Sequence, residues 1–324
     1  MRSRLLWFSA ASLLIALSGC AKVGTTTDIK ADGSFTRTVV YRGSAPSTDG
    51  FTMGPTLDDI VAPPRTPGWQ VTRAKDPKND SELVLTATKA FAPGETLTDD
   101  LALKAPPKKD APTSTPPTFV LGNTVAVTKL PNGTIAYRET IRWRGPRPSE
   151  LATPDPTFLA ALSSAVPALD KAGQVAVEKR VHQSVWQALF GPGEPLIGLL
   201  MTHPELGEFR LKRRLSDSLL AALQDALGNK LTEAERRAAV QKLVTSLTDD
   251  VKDKTKKQVN AGPSGSGSSD DTLVALLIKA RFPGKVLQTN GELDPATGEV
   301  IWGLFSQAAA AGDVVLTAVC EPEK

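Results

Sequence analysis

Residues 125–143 read Val-Ala-Val-Thr-Lys-Leu-Pro-Asn-Gly-Thr-Ile-Ala-Tyr-Arg-Glu-Thr-Ile-Arg-Trp. Pro131-Asn132-Gly133 is a hairpin signal, because Asn and Gly accept the positive φ that a tight antiparallel turn requires. Past the turn, Ile135, Tyr137, Ile141 and Trp143 share one face, while Arg138, Thr140 and Arg142 share the other. A period of two marks a half-buried strand, so this part of the chain is expected to form antiparallel sheet.

Working outward, the same pattern recurs on both sides. Gly24 to Tyr41 reads as a hairpin bending at Ala31-Asp32-Gly33, with Phe35 to Tyr41 as its β-rich return strand. A third hairpin is expected to set Lys285 to Thr289 against Val300 to Leu304, around Asn290-Gly291 and Asp294-Pro295-Ala296-Thr297-Gly298, followed by a strand at Val314 to Val319. Trp69 to Ala74 and Glu82 to Thr88 are shorter strand candidates.

From Pro154 to Val259 the period changes. Val177, Val181, Val185 and Leu189 recur every four residues, as do Leu211, Leu215, Leu219, Leu223 and Leu227. Val240, Leu243, Val244, Leu247 and Val251 make a third apolar face, introduced by the capping-box string Thr232-Glu233-Ala234-Glu235. Pro167 should end or bend the first helix. Three or four such helices form a bundle-like subdomain, with the stripes packing inside it rather than receiving a partner helix.

The expected fold is therefore α+β: an antiparallel β-sheet domain carrying a large helical insertion. Residues 1–19 are read as a signal peptide and 20–148 as a β-rich segment with a Pro-rich extended loop at 104–118. Residues 149–260 are the helical insertion, 261–272 a Gly/Ser linker, and 273–324 the strands that complete the β domain. The alternative arrangement is two independent β domains flanking a helical one.

The amino terminus carries the sharpest local signal. Arg2 and Arg4 precede an apolar run from Leu5 to Leu17, about 13 residues long, which fits a secretory signal and is too short to span a bilayer. It closes on Leu17-Ser18-Gly19-Cys20, which closely resembles the lipobox of bacterial lipoproteins. That resemblance implies that the Cys20 thiol carries diacylglycerol, that cleavage falls before Cys20, and that the new amino terminus is acylated. Two or three acyl chains give stable attachment, since each buried methylene contributes about 0.8 kcal/mol. The other readings are an ordinary secretory signal that contains a Cys, or an uncleaved helix. Lys22, rather than Asp, stands second after the anchor, which in the enterobacterial sorting pattern does not retain a protein at the inner membrane.

Composition sets further bounds. Removing 1–19 leaves about 305 residues, with 40% apolar content, 5% aromatic content and a net charge of +3. Leu, Val, Ala and Ile must build the core, and the near balance of charge, like the export signal, argues against a nucleic-acid partner. If Cys20 is lipidated, Cys320 has no partner within the chain; it reads as a small buried residue at a strand end.

Chemistry-bearing patterns are sparse. His182 and His203 are the chain's two histidines, and their spacing is not that of a metal pair. His182 reads as a helix-flank residue and His203 as part of a turn. No nucleophile elbow, phosphate-binding loop, dinucleotide fingerprint or EF-hand string is present. The acidic pairs Asp99-Asp100, Asp249-Asp250 and Asp270-Asp271 read as solvated surface, and Asp294 with Glu299 brackets a turn that is at best a weak calcium site. Arg210, Lys212, Arg213 and Arg214 form a basic cluster, read as a polar helix face with a membrane-headgroup contact as the alternative. Lys252, Lys254, Lys256 and Lys257 read as a solvated helix end.

Two further stretches, the Asp32-Gly33-Ser34 turn and the string Phe282-Pro283-Gly284-Lys285-Val286 with Thr289-Asn290-Gly291 and Val300-Ile301-Trp302, resemble the LppM-like family of bacterial lipoproteins. The resemblance implies a small α/β or β-rich domain, a cell-envelope location, and lipid or envelope binding, with no catalytic residues; the helical insertion and Cys320 depart from that pattern. The sequence thus leads to a lipid-anchored envelope protein on the exported face of the cell membrane or outer membrane. No cofactor, metal site or enzymatic role is expected. Its partners would be the membrane, through lipidated Cys20, and an unknown envelope protein that it binds or scaffolds. A carrier or sensor of a hydrophobic ligand held between sheet and helices, and a hydrolase using a carboxylate pair, are the alternatives.

Overall fold

The computed structural model describes residues 22–45, 56–62, 64, 66–77, 79–101, 103–104, 119–145, 151, 154–192, 196, 199–200, 203–260, 274–294 and 297–323, with side chains omitted at 80, 119–120, 204 and 247–260. Cys20 and the signal segment, residues 105–118 of the Pro-rich stretch, the Gly/Ser linker and Asp270-Asp271 lie outside the described residues. The fold is α+β and divides into two compact units, one of sheet (described parts of 16–146 and 272–324) and one of helices (described parts of 147–190 and 195–271).

The sheet unit holds two sheets. The first contains β1 (Lys22–Ile29), β2 (Phe35–Ser44), β3 (Gln70–Asp76), β4 (Asn79–Phe91), β9 (Ala275–Arg281), β11 (Glu292–Leu293) and β12 (Glu299–Phe305), in the order β11-β12-β9-β1-β2-β4-β3. The second contains β5 (Thr96–Thr98), β7 (Phe119–Lys129), β8 (Ile135–Trp143), β10 (Gly284–Thr289) and β13 (Val314–Pro322), in the order β10-β13-β8-β7-β5, with β6 (Leu103–Lys104) paired to β7. Every pair is antiparallel except β1 with β9, which run parallel with Val23 opposite Leu276.

Alternation explains how the two sheets face each other. Val23 and Ile29 on β1, Phe35, Val39 and Tyr41 on β2, Leu276, Ile278 and Ala280 on β9, and Val300, Trp302 and Leu304 on β12 point to one buried side. They meet Leu121, Val125 and Val127 on β7, Ile135, Tyr137 and Ile141 on β8, and Val314, Leu316, Ala318 and Cys320 on β13. Tyr137 and Trp302, from opposite sheets, stack at 5.6 Å between ring centroids. Both β1–β2 and β7–β8 are the hairpins expected from sequence; Asp32 and Asn132 each cap their turn by accepting from the backbone N–H two residues on, at 2.9 and 3.1 Å.

The third expected hairpin is not a hairpin. Both of its strands form, but β10 pairs with β13 in the second sheet, whereas β12 pairs with β9 and β11 in the first. Asn290 marks the crossing: its Oδ1 accepts from Trp302 Nε1 at 2.9 Å and from the Thr317 backbone N–H at 2.8 Å, and its Nδ2 donates to the Val315 carbonyl at 2.8 Å. Gly291 then lies flat against Trp302, where a Cβ would stand 2.5 Å from the indole nitrogen. The Asn-Gly pair thus serves as a corner between sheets, which spacing alone cannot distinguish from a hairpin turn.

The helical unit contains α2 (Pro156–Ala165), α3 (Lys171–Phe190), α4 (Pro204–Leu227) and α5 (Glu233–Asn260); two short helices, α1 (Leu57–Ile60) and α6 (Ala308–Ala311), belong to the sheet unit. Pro167 does follow the end of α2. Val177, Val181, Val185 and Leu189 on α3, Leu219, Leu223 and Leu227 on α4, and Val240 and Leu243 on α5 are buried, so the stripes pack among the helices. The α5 capping box is formed, with Thr232 and Glu235 exchanging bonds of 2.8 and 3.3 Å.

Candidate functional site

Among the described residues, three places gather polar side chains into a candidate site. The most deeply buried lies between the two sheets. Alternation on β2 turns Arg37 inward with Phe35 and Val39, and alternation on β8 turns Glu139 inward with Tyr137 and Ile141. Asp100 arrives differently. Asp99 adopts φ 57°, the Asp99 N–H donates to the Asn123 carbonyl at 2.8 Å, and the Leu101 N–H donates to Asn123 Oδ1 at 3.1 Å. This twist after β5 aims the next carboxylate into the sandwich.

The side chains of Arg37, Asp100 and Glu139 are fully buried. Arg37 donates through Nε to Asp100 Oδ2 at 2.7 Å and through its two terminal nitrogens to Glu139 at 2.8 and 3.2 Å, with a further bond to Thr27 Oγ1 at 2.7 Å. Asn123 Nδ2 donates to both carboxylates, and Tyr137 donates its hydroxyl to Glu139 Oε2 at 2.5 Å. Tyr41 donates to the Asp100 carbonyl. Burial opposes the charge on Arg37, but Asp100 and Glu139 outweigh it and hold the guanidinium protonated beyond the usual Arg range. Burial pushes the Asp100 carboxyl upward, the Arg37 charge pulls it back, and the Glu139 charge adds to the push. Burial likewise raises both tyrosine hydroxyls, so they stay protonated and keep a hydrogen to donate.

Asp99-Asp100 was expected on solvated surface. Asp99 does make a surface pair with Arg144 at 2.7 Å, but Asp100 is sealed in the core. Glu139, Arg37 and Asn123 escaped the sequence reading altogether, because a charged residue on an apolar face looks like a break in the pattern. The usable signal was Glu139 sitting in register with Tyr137 and Ile141 on an otherwise apolar face. Chemically, the cluster is a carboxylate pair bridged by a guanidinium with no exposed atom, an arrangement that holds strands rather than one that meets a substrate.

The second place is in the helical unit. Asp155 caps α2 by accepting from the Thr157 and Phe158 N–H groups at 2.7 and 3.3 Å, while its own N–H donates to Glu178 Oε1 at 2.5 Å. His182, one turn along α3, places Nδ1 3.7 Å from the same Glu178 oxygen and its ring edge-on to Phe158. His182 Nε2 is buried with no hydrogen-bond partner among the described residues. Burial lowers the His182 pKa and raises that of Glu178. So His182 is a buried neutral ring rather than a flank residue; His203, by contrast, sits exposed at the start of α4.

The third place is a concavity of about 500 Å³ at one end of the first sheet. It is lined by Lys22, Arg42, Lys75, Asp76, Glu82 and neighbouring residues of β1 to β4. Lys22 lies opposite Arg42 across the β1–β2 ladder, and Arg42 lies 3.7 Å from Asp76. Lys22 stands two residues after Cys20.

No family model, curated protein or solved structure matches the chain. The residues that carry the LppM-like resemblance serve turns and corners here: Asp32 caps the β1–β2 turn, and Asn290, Gly291 and Trp302 make the inter-sheet corner. The remaining candidates also have definite places. Glu299 is held by Arg281 and by Lys279 at 3.3 Å, so its carboxylate is already engaged by cations rather than open to calcium. Arg210, Arg213 and Arg214 are exposed on α4 and Lys212 pairs with Glu208 at 2.6 Å. Cys320 is buried as a free thiol on β13, and burial raises its pKa. The side chains of Asp249, Asp250 and the Lys252–Lys257 group are outside the described set. No helix among the described residues is long and apolar enough to cross a membrane, and no group of three or more His, Cys, Asp or Glu among them is placed to hold a metal ion.

Proposed function

We propose that the protein is an exported lipoprotein, held at the cell envelope by acyl chains on Cys20, where its folded body serves as a non-catalytic binding or scaffolding platform. The anchor rests on the Leu17-Ser18-Gly19-Cys20 string and the short apolar run before it. The non-catalytic role rests on one observation: the most deeply buried set of charged side chains among the described residues, Arg37 with Asp100 and Glu139, is satisfied by its own members and by Thr27, Asn123 and Tyr137. A hydrolytic carboxylate pair needs room for a sugar or a water between its members; here a guanidinium fills that space.

The test is metabolic labelling with a fatty-acid analogue, read together with membrane fractionation of the parent protein and Cys20→Ser. The reading requires that the parent incorporate label and sediment with membranes, and that the variant lose both. An unlabelled parent, or a variant that stays with the membrane to the same extent, would overturn it.

A further inference from the structure

The tether between anchor and fold is short enough to dictate which part of the sheet unit meets the bilayer. Cys20 is followed by Ala21, and Lys22 already begins β1. Two residues span at most about 7 Å, so the Lys22 end of the first sheet cannot stand clear of the headgroup layer if Cys20 is acylated. Resting on that anchor, we infer that the outer face of the first sheet, at its Lys22 end, docks on the bilayer with Lys22 and Arg42 turned toward the phosphates of anionic lipid headgroups.

Three features at this end agree with an anionic, part-apolar surface as the occupant. Val23 and Tyr41 are buried on the inner side, so alternation turns Lys22 and Arg42 outward together. Beside them the surface is hollowed into the concavity of about 500 Å³. Asp76 and Glu82 also line it, Asp76 lying 3.7 Å from Arg42, so Lys22 is the cation of this outer row nearest the anchor. One row further along the strands, Val40, Gly24 and Leu277 stand side by side across β2, β1 and β9, and Leu277 is 45% exposed. Cations at the rim with an apolar row behind them form the pattern of a peripheral membrane contact.

The experiment uses the full acylated chain in phosphatidylcholine vesicles with and without phosphatidylglycerol. An environment-sensitive fluorophore is placed at Asn79→Cys, on the concavity, or at Ala31→Cys, in the β1–β2 turn at the far end of the strand; Cys320 is sealed and stays unlabelled. Headgroup-level spin-labelled lipid should quench the fluorophore at position 79 severalfold more than at position 31, more so with phosphatidylglycerol, and Lys22→Ala/Arg42→Ala should abolish the phosphatidylglycerol effect. In the unacylated Cys20→Ser chain, the same double substitution should weaken association with phosphatidylglycerol vesicles about tenfold or more, each near-surface cation being worth roughly fivefold. Equal quenching at the two positions, or insensitivity to phosphatidylglycerol, in a chain that mass spectrometry shows to be acylated, overturns the docking while leaving the anchor intact. A chain without acyl groups overturns the anchor instead.

Discussion

Arg37→Met should be among the most damaging single substitutions in the sheet unit. Met keeps much of the volume and removes the charge. The guanidinium gives four bonds of 2.7–3.2 Å, to Asp100, Glu139 twice and Thr27, in a site with no exposed side-chain surface. Without it, two buried carboxylates face each other with only Asn123 and Tyr137 as donors. Breaking a buried ionic set by removing one partner costs about 3–5 kcal/mol, or about 6–20 °C of Tm at roughly 2–4 °C per kcal/mol for a unit of this size. Urea unfolding of the chain without residues 1–19, which removes Trp7, followed by tryptophan fluorescence in a Trp186→Phe background isolates the sheet unit, since Trp69, Trp143 and Trp302 all belong to it. Arg37→Met/Asp100→Asn/Glu139→Gln removes the stranded charges and should recover at least about 2 kcal/mol of the loss. Should Arg37→Met unfold within about 1 kcal/mol of the parent, or the triple variant be no more stable than the single, the charge-paired account of this core is wrong.

Two further outcomes test other parts of the fold. His182 is buried and its folded pKa is lowered, so the folded state takes up a proton less readily than the unfolded chain; helical-unit stability should fall as pH drops below about 6.5, and His182→Gln should flatten that slope. Glu178 has a raised pKa and works in the opposite sense at lower pH, so the comparison is the difference between parent and His182→Gln in urea titrations at pH 7.5 and 5.5; equal slopes would count against a buried neutral ring. Gly291→Ala would place a methyl 2.5–2.7 Å from Trp302 and Val300, both in the core, and should destabilise the sheet unit by about 1–3 kcal/mol in urea unfolding, a result that unchanged stability would contradict.

What could be read from the chain was what obeys a local period. The β1–β2 and β7–β8 hairpins announce themselves through Asp32-Gly33 and Asn132-Gly133, and the helices through stripes such as Val177 to Leu189, because turn chemistry and periodic burial act within a few residues. Pairing across the chain does not. β9 runs parallel to β1 although about 250 residues separate them, and nothing in either strand encodes the partner. The same limit hid the Arg37 cluster, whose members come from β2, the turn after β5, and β8, and whose inward positions look like errors in amphipathic patterns when each strand is taken alone. Asp100 was misplaced for a related reason: an Asp-Asp pair in loop sequence is ordinarily solvated, and only the positive φ at Asp99 turns the second one inward.

The buried cluster also bears on why the two sheets adopt a single register. On β2 the inward residues are Phe35, Arg37, Val39 and Tyr41, and on β8 they are Ile135, Tyr137, Glu139 and Ile141. For apolar burial alone, sliding β2 past β8 by two residues keeps the same face inward and exchanges one large apolar side chain for another. The charges remove that degeneracy. A two-residue slide puts Phe35 or Val39 where Arg37 stands and leaves both Glu139 and Asp100 without their cation, a penalty of the size given above for Arg37→Met. Because burial raises the folded pKa of Asp100, the titration of Asp100 itself favours the folded state more at low pH than at neutral pH: a carboxyl with a raised folded pKa stabilises below its unfolded value and loses that contribution as pH rises through the folded one. A set of groups that contributes modestly to stability yet penalises every shifted pairing acts mainly on which structure forms, and in a protein with two sheets and few aromatic residues that selection falls to Arg37, Asp100 and Glu139.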